Sequence, residues 1–198
     1  TKKMSVSNPL VSIVIPCYNA EKTIKTCLDS LLKQNIKNWE AICINDGSSD
    51  STSEILEEYK IQDSRIKIYQ QANSGAFDSR NKGIALSGGK FITFIDSDDS
   101  LHPLFLEKSL NCFHRDIDIV SVGVRYIGTW RKYREYNDLK LTYNAYLKGV
   151  LTGKYGWELW GKIYRKNLFR EVALLPERLN IGEDAYLFIQ LVLASRYV

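Results

Sequence analysis

Apolar positions along this chain fall into two alternating rhythms. Short, mainly apolar runs at 11–15, 39–44, 66–69 and 91–95 are four to six residues long and rich in Ile, Val and Phe, which predicts four buried strands. Between them the apolar positions take helical spacing: Ile24, Cys27, Leu28, Leu31 and Leu32, then Ile55, Leu56 and Tyr59, then Ile84 and Leu86. Asn19 reads as the cap of the first helix, and Ser51 with Glu54 as a capping box for the second. Strands alternating with helices at this spacing argue for an α/β protein, with a mainly parallel sheet flanked by helices on both faces. After Asp99 the pattern loosens. A helix opened by Pro103, a strand over 118–124, a helix from Thr142 to about Leu151, a short helix near 166–172 and a last helix opened by Asn180–Asp184 form a second, C-terminal lobe.

In parallel α/β sheets, ligands bind beyond the carboxyl ends of the strands. Each predicted strand here ends in a polar cluster: Tyr18-Asn19, then Asp46, then Asn73, then Asp96-Ser97-Asp98-Asp99. The last is the sharpest. Three carboxylates within four positions repel one another and are costly to desolvate. Alternation in an extended chain sends Asp96 and Asp98 to one side and Asp99 to the other. Two readings stand for this stretch: a polar turn ahead of the Pro103 helix, or oxygen ligands for Mg²⁺ or Mn²⁺ bridging to a substrate phosphate. The turn after the first strand, Pro16-Cys17-Tyr18-Asn19-Ala20, has no glycine, which argues against a dinucleotide fold, a P-loop or a nucleotidyltransferase loop.

Composition narrows the classes further. At 198 residues and 44% hydrophobic, the chain is long enough for one well-packed domain. The first hundred residues carry 12 Lys/Arg against 13 Asp/Glu and the remainder 15 against 10, a surplus too small and dispersed for a nucleic-acid protein. It suits a phosphorylated acceptor or peripheral contact with an anionic membrane. Cys17, Cys27, Cys43 and Cys112 lack metal-ligand spacing and read as reduced core thiols of a cytoplasmic protein, placed at most at the inner face of its membrane. Residues 1–8 read as an N-terminal extension. The domain spans 9–198, with one half at about 9–100 and a second at about 101–198. The amphipathic last segment suggests a chain that continues past Val198.

Six motifs in order carry a resemblance: Val-Ser-Ile-Val-Ile-Pro-x-Tyr-Asn (11–19), Asn-Asp-Gly-Ser-x-Asp (45–50), Gly-x-x-x-x-Arg-Asn-x-Gly (75–83), Asp-Ser-Asp-Asp (96–99), Trp-x-Lys-x-Tyr-Arg (160–165) and Glu-Asp (183–184). The chain resembles a family 2 inverting glycosyltransferase of the GT-A fold, of bacterial polysaccharide type, over nearly all of 9–198. The resemblance implies a nucleotide-sugar donor, UDP-linked, held by a nucleotide-sugar half at about 9–100, and a saccharide or lipid-linked acceptor met by an acceptor half, the C-terminal acceptor-side lobe, at about 101–198. It implies donor contacts from Pro16, Tyr18, Asp46, Arg80 and Asp96, a Mn²⁺ or Mg²⁺ ion on Asp98 and Asp99, and Asp184 as the base. Trp160 and Glu183 would touch acceptor or sugar.

Each position also has a plainer reading. Tyr18 suits a core tyrosine, Asp46 a turn acid, Arg80 an exposed arginine, and Glu183-Asp184 a helix cap. A nucleotide-sugar-binding module without activity of its own remains the alternative function.

Overall fold

A computed structural model describes residues 8–125, 133–134, 140–170, 172 and 183–198. All but Asn8 of the expected extension at 1–8, most of the Tyr/Arg-rich stretch at 125–140, Asn180–Gly182 and the side chain of Glu183 fall outside the described residues.

The chain runs β1 (Val11–Cys17), α1 (Ile24–Leu32), β2 (Trp39–Asp46), α2 (Thr52–Gln62), β3 (Ile66–Gln71), α3 (Ala76–Leu86), β4 (Phe91–Phe94) and α4 (Phe105–Asn111). It continues through β5 (Ile119–Ser121), the two-residue strands β6 (Val124–Arg125) and β7 (Tyr133–Arg134), α5 (Tyr143–Leu151), β8 (Lys162–Arg165), a 3₁₀ turn (Lys166–Arg170) and α6 (Glu183–Ala194). Six strands form one sheet in the order β3-β2-β1-β4-β8-β5, and β6 pairs with β7 in a small ribbon. The first four are mutually parallel; β8 runs antiparallel to both β4 and β5. Among the described residues no helix is long and apolar enough to cross a membrane.

The two-residue period of a strand sorts the core. Val11, Ile13, Ile15 and Cys17 of β1 face α1 and α2, where Ile24, Leu28, Leu31 and Leu56 are buried. Val14 points the other way, with Ile92 and Phe94 of β4, towards Tyr146 of α5 and Leu187, Phe188 and Leu191 of α6. Helix α3 lies very close to the sheet on this second face. A Cβ placed on Gly83 would stand 2.3 Å from Val14 Cγ1, so only glycine permits the approach.

Connectivity places the site. From β1 the chain steps outward to β2 and β3, then returns across β1 to β4. The crevice between the carboxyl ends of β1 and β4 is therefore the point where strand order reverses, the place such sheets bind ligands.

Several local expectations change. Asn19 does not cap α1, which starts at Ile24 behind a turn with no side-chain cap. Ser51 makes no capping bond either; Asp50 takes that part, its Oδ1 accepting from the Thr52 amide at 3.0 Å and the Thr52 hydroxyl at 2.6 Å. Thr142 does cap α5, through the amide of Ala145. Asp118–Val124 is not one strand: β5 covers three of its residues. Cys17, Cys27 and Cys43 are buried thiols, whereas Cys112 is exposed, just past the end of a seven-residue α4.

Candidate active site

The turn after β1 is tied to the turn after β2. Asn19 adopts φ 47°, in the left-handed region that asparagine tolerates better than most residues. From there its amide donates to Ser48 Oγ at 3.0 Å, and its side-chain oxygen accepts from the Ser49 amide at 2.9 Å. Ala20 N donates to Thr52 Oγ1 at 2.7 Å and Glu21 N to Asp50 Oδ2 at 3.1 Å. Desolvation opposes ionisation of Asp50, but the bonds from Thr52 and Glu21 outweigh it and hold the carboxyl below the usual aspartate range. The laced turns wall a cleft of about 590 Å³ that runs from Tyr18 to Asp98. Tyr18 is 54% exposed there, an unusual state for so large a ring. Pro16 sits one register step deeper, opposite Ile44 of β2, and is half-buried.

Asp46 ends β2 as a buried carboxylate. Its Oδ1 accepts from Gln71 Nε2 at 2.7 Å and the Ser74 amide at 2.9 Å, and its Oδ2 from the Gly75 amide at 2.8 Å. It thereby organises the 73–75 loop that leads into α3. Gly47 has φ 71°, and a Cβ there would meet Asn73 N at 2.9 Å, so this loop rests directly on the β2 turn.

Beyond β4 the chain does not stay extended. Asp99 N donates back to Asp96 O at 3.0 Å, closing a turn that curls all three carboxylates together. One oxygen from each of Asp96, Asp98 and Asp99 lies within 4.8 Å of the others. The alternation expected of an extended strand is therefore wrong here: the turn puts Asp99 on the same side as its neighbours. Partial burial, reinforced by the charges of Asp96 and Asp98, lifts the Asp99 carboxyl to about 6 even though it reaches solvent. An all-oxygen set with one member resisting ionisation fits a hard divalent cation, whose charge would relieve that repulsion.

Arg80 joins this turn to the other half of the chain. Helix α3 carries it inward to 7% side-chain exposure. Its Nη2 donates to Asp96 Oδ1 at 2.7 Å and its Nη1 to Asp184 Oδ1, at the start of α6, at 2.8 Å. Residues 96 and 184 thus meet across one guanidinium, and through Asp96 the acid of α6 is linked to the turn that carries Asp98 and Asp99. Arg80 is not the exposed arginine of the plainer reading. Its Nε, buried, has no hydrogen-bond partner among the described residues.

Trp160 is half-buried just before β8. Because β8 runs antiparallel to β4 with Ile163 opposite Thr93, residues 160–161 emerge at the same sheet edge as Asp96. Glu183 opens α6 beside Asp184. Sequence reading missed the supports: Gln71 and Ser74 under Asp46, Ser48 and Ser49 under Asn19, and Thr52 under Ala20. Of these only Ser48 is a motif position, and no motif shows the pairings, which join residues 25 to 32 positions apart. An asparagine directly after a strand end, where left-handed backbone is common, was the one available sign.

An α/β sheet of this order, with an acidic turn at its switch point and a second acid delivered from a late helix, defines a domain of the GT-A type. The family profile described as Glycosyl transferase family 2 matches residues 12–174, and the chain belongs to that family. EpsH of Bacillus subtilis (strain 168) is 36% identical over 170 residues, covering 82% of this chain and 49% of EpsH. The uncharacterized glycosyltransferase EpsJ of the same organism is 35% identical over 188 residues, covering 89% of this chain and 54% of EpsJ. Among solved structures, residues 1–349 of S. aureus TarS align with a TM-score of 0.79 at 25% identity, covering 95% of this chain and 59% of that one. Their complex with UDP-GlcNAc aligns at 0.81 and 24% identity, with 95% and 57% covered. The chain spans about half the length of the curated relatives it matches.

Proposed function

We propose that this chain transfers a sugar from a UDP-sugar to a saccharide or lipid-linked acceptor, with inversion, in the synthesis of a cell-surface polysaccharide. The observation that carries the reading is the Arg80 bridge, which brings the acid of α6 to the acidic turn of β4. The family supports glycosyl transfer, and the TarS complex favours UDP-GlcNAc as the first donor to try.

In this reading Tyr18 and Pro16 form the wall against which the base packs, and Asp46 accepts from the uracil N3–H while its other acceptor sites hold the 73–75 loop. Asp96 takes the ribose side. Asp98 and Asp99 are the residues that would hold Mn²⁺ or Mg²⁺. Such an ion supplies positive charge against the departing diphosphate. Asp184 removes the proton from the acceptor hydroxyl as its oxygen attacks the anomeric carbon. The new C–O bond forms on one face while the bond to the diphosphate breaks on the other, so the centre inverts. Arg80 holds Asp184 and Asp96 close together. Trp160 and Glu183 stand on the acceptor side. Chemistry of this kind would take place on the cytoplasmic side of the membrane, where nucleotide sugars are made.

The experiment is sugar release and transfer from UDP-GlcNAc and other UDP-sugars with and without Mn²⁺, for wild type, Asp98→Ala and Asp184→Asn. Expected is metal-dependent turnover that both substitutions reduce by at least about 100-fold, the range a positioned acid–base group contributes. Equal turnover by wild type and Asp184→Asn would reject the base assignment. UDP binding without any turnover would favour a donor-binding module instead.

A further inference from the structure

A second concave site lies at the opposite edge of the sheet. Its cavity, about 450 Å³, is bounded by the start of β4, the end of β8 and the 3₁₀ turn. The side chains of Lys90, Arg115, Arg165, Lys166, Arg170 and Arg196 surround it, with Asp118 as the one carboxylate among its lining residues. Lys90 precedes β4 and Asp96 follows it, so the cavity and the donor cleft are separated by roughly 20 Å of extended chain.

The cations divide into a fixed floor and unengaged arms. Arg165 is held rigidly: its Nε donates to Ile117 O at 2.7 Å and its Nη2 to His114 O at 2.7 Å, and its guanidinium lies 5.3 Å from the Phe113 ring. Asp118 is buried and committed, its Oδ2 accepting from the amide and Nε of Arg196 at 2.9 and 3.2 Å. Its Oδ1 also lies 3.6 Å from Arg165 Nε, so its single charge is shared between Arg165 and Arg196, and Arg196 has a longer ion pair of 3.9 Å with the exposed Asp116. Lys166 Nζ donates to Ser87 O. The guanidinium groups of Arg115 and Arg170 have no hydrogen bond or ion pair among the described residues, and both are exposed. Six cations converge here against Asp118 and the exposed Asp116 paired with Arg196, and the surplus of four positive charges would repel one another without an anion between them.

We propose that this cavity binds a phosphate-bearing ligand. Guanidinium forks match the oxygens of a phosphate two at a time, and a dianion satisfies several arms at once, which a lone carboxylate does not. The volume suits a phosphate group with a small substituent, supplied by a soluble phosphorylated molecule or by an anionic phospholipid headgroup. The site is independent of the donor cleft and of the reaction proposed for it.

Titration with inorganic pyrophosphate in EDTA, read by calorimetry on the 198-residue chain, tests it. Three proteins are compared: wild type, Arg115→Glu/Arg170→Glu, and Lys33→Glu/Lys60→Glu, which makes the same charge change on α1 and α2. A parallel arm measures co-sedimentation with phosphatidylglycerol vesicles against phosphatidylcholine vesicles. Expected is binding by wild type and the lysine variant and at least about tenfold weaker binding by the arginine variant, corresponding to loss of one charge-assisted contact or more. If the arginine variant alone also loses the phosphatidylglycerol vesicles, the ligand is a lipid headgroup; if vesicle binding is unchanged, it is a soluble phosphate. Equal weakening in both double variants, or no binding of pyrophosphate and vesicles by wild type, overturns the proposal.

Discussion

Replacing Arg80 by methionine keeps most of the side-chain volume and removes both charged bonds. In wild type the guanidinium is 7% exposed, while the Asp96 and Asp184 side chains are 33% and 22% exposed. A hydrogen bond to a charged partner contributes about 1.5–3 kcal/mol. Solvent reaches both carboxylates and softens their repulsion, so the two bonds together are expected to be worth about 2–4 kcal/mol rather than their full sum. Urea unfolding followed by tryptophan fluorescence would show this as a lower midpoint at unchanged slope. Arg80→Lys separates charge from geometry. An ammonium restores a positive charge between the acids but lacks the planar fork that reaches both at once. Stability is therefore expected to recover in part, while turnover of a UDP-sugar stays at least about tenfold down because Asp184 is no longer aimed. An Arg80→Met protein with the wild-type midpoint and wild-type turnover would refute the idea that this bridge assembles the site.

Further outcomes follow from the packing around it. Gly83→Ala drives a methyl group into Val14, 2.3 Å away, and should destabilise by about 1–3 kcal/mol; Gly83→Ala/Val14→Ala should recover much of that loss in thermal unfolding, and no recovery would argue against direct contact. Asp46→Asn leaves one acceptor oxygen where four donors converge and turns an amide NH₂ towards Gly75 N or Ser74 N; faster hydrogen exchange at the Ser74 and Gly75 amides is expected, with weaker UDP binding. Glu40, buried inside β2, is desolvated, but bonds from Lys67 Nζ at 2.6 Å, Ser12 Oγ at 2.6 Å and Gly88 N at 2.7 Å outweigh that and hold its carboxyl below the usual value. Its folded pKa lies under the unfolded one, near about 4.3, so its stabilisation is complete above that pH and is lost as pH falls through the folded value. Glu40→Gln should therefore be less stable than wild type at pH 7 and lose less stability between pH 5 and 3; parallel pH–stability curves would contradict this.

Apolar rhythm alone placed the four parallel strands: β1, β2 and β4 are buried on both faces and admit little else there, whereas β3, expected to be buried, is an edge strand with only Ile66 buried. It also marked the edge of the sheet where function would gather, since polar clusters closed every one of those strands. Asp96, Asp98, Asp99 and Arg80 could be picked out from spacing and motif. Their partners could not. Whether Asp99 points with or against its neighbours depends on a turn closed by one backbone bond to Asp96 O, which no periodicity encodes. The basic cavity was invisible for a similar reason: Lys90, Arg115, Arg165 and Arg196 are dispersed over 107 positions, and only the antiparallel seating of β8 between β4 and β5 gathers them.

Residue types and their local order thus determined which segments could be strands, which helices, and which chemistry each strand end could offer, because burial and backbone preference act over a few residues. Tertiary structure alone decided that Asp184 meets Asp96 through Arg80, residues 104 and 16 positions from that arginine. Pairing charges so distant along the chain depends on the sheet as scaffold, since the packing of α3 on β1 and the core that α6 shares with β4 bring them within bonding distance.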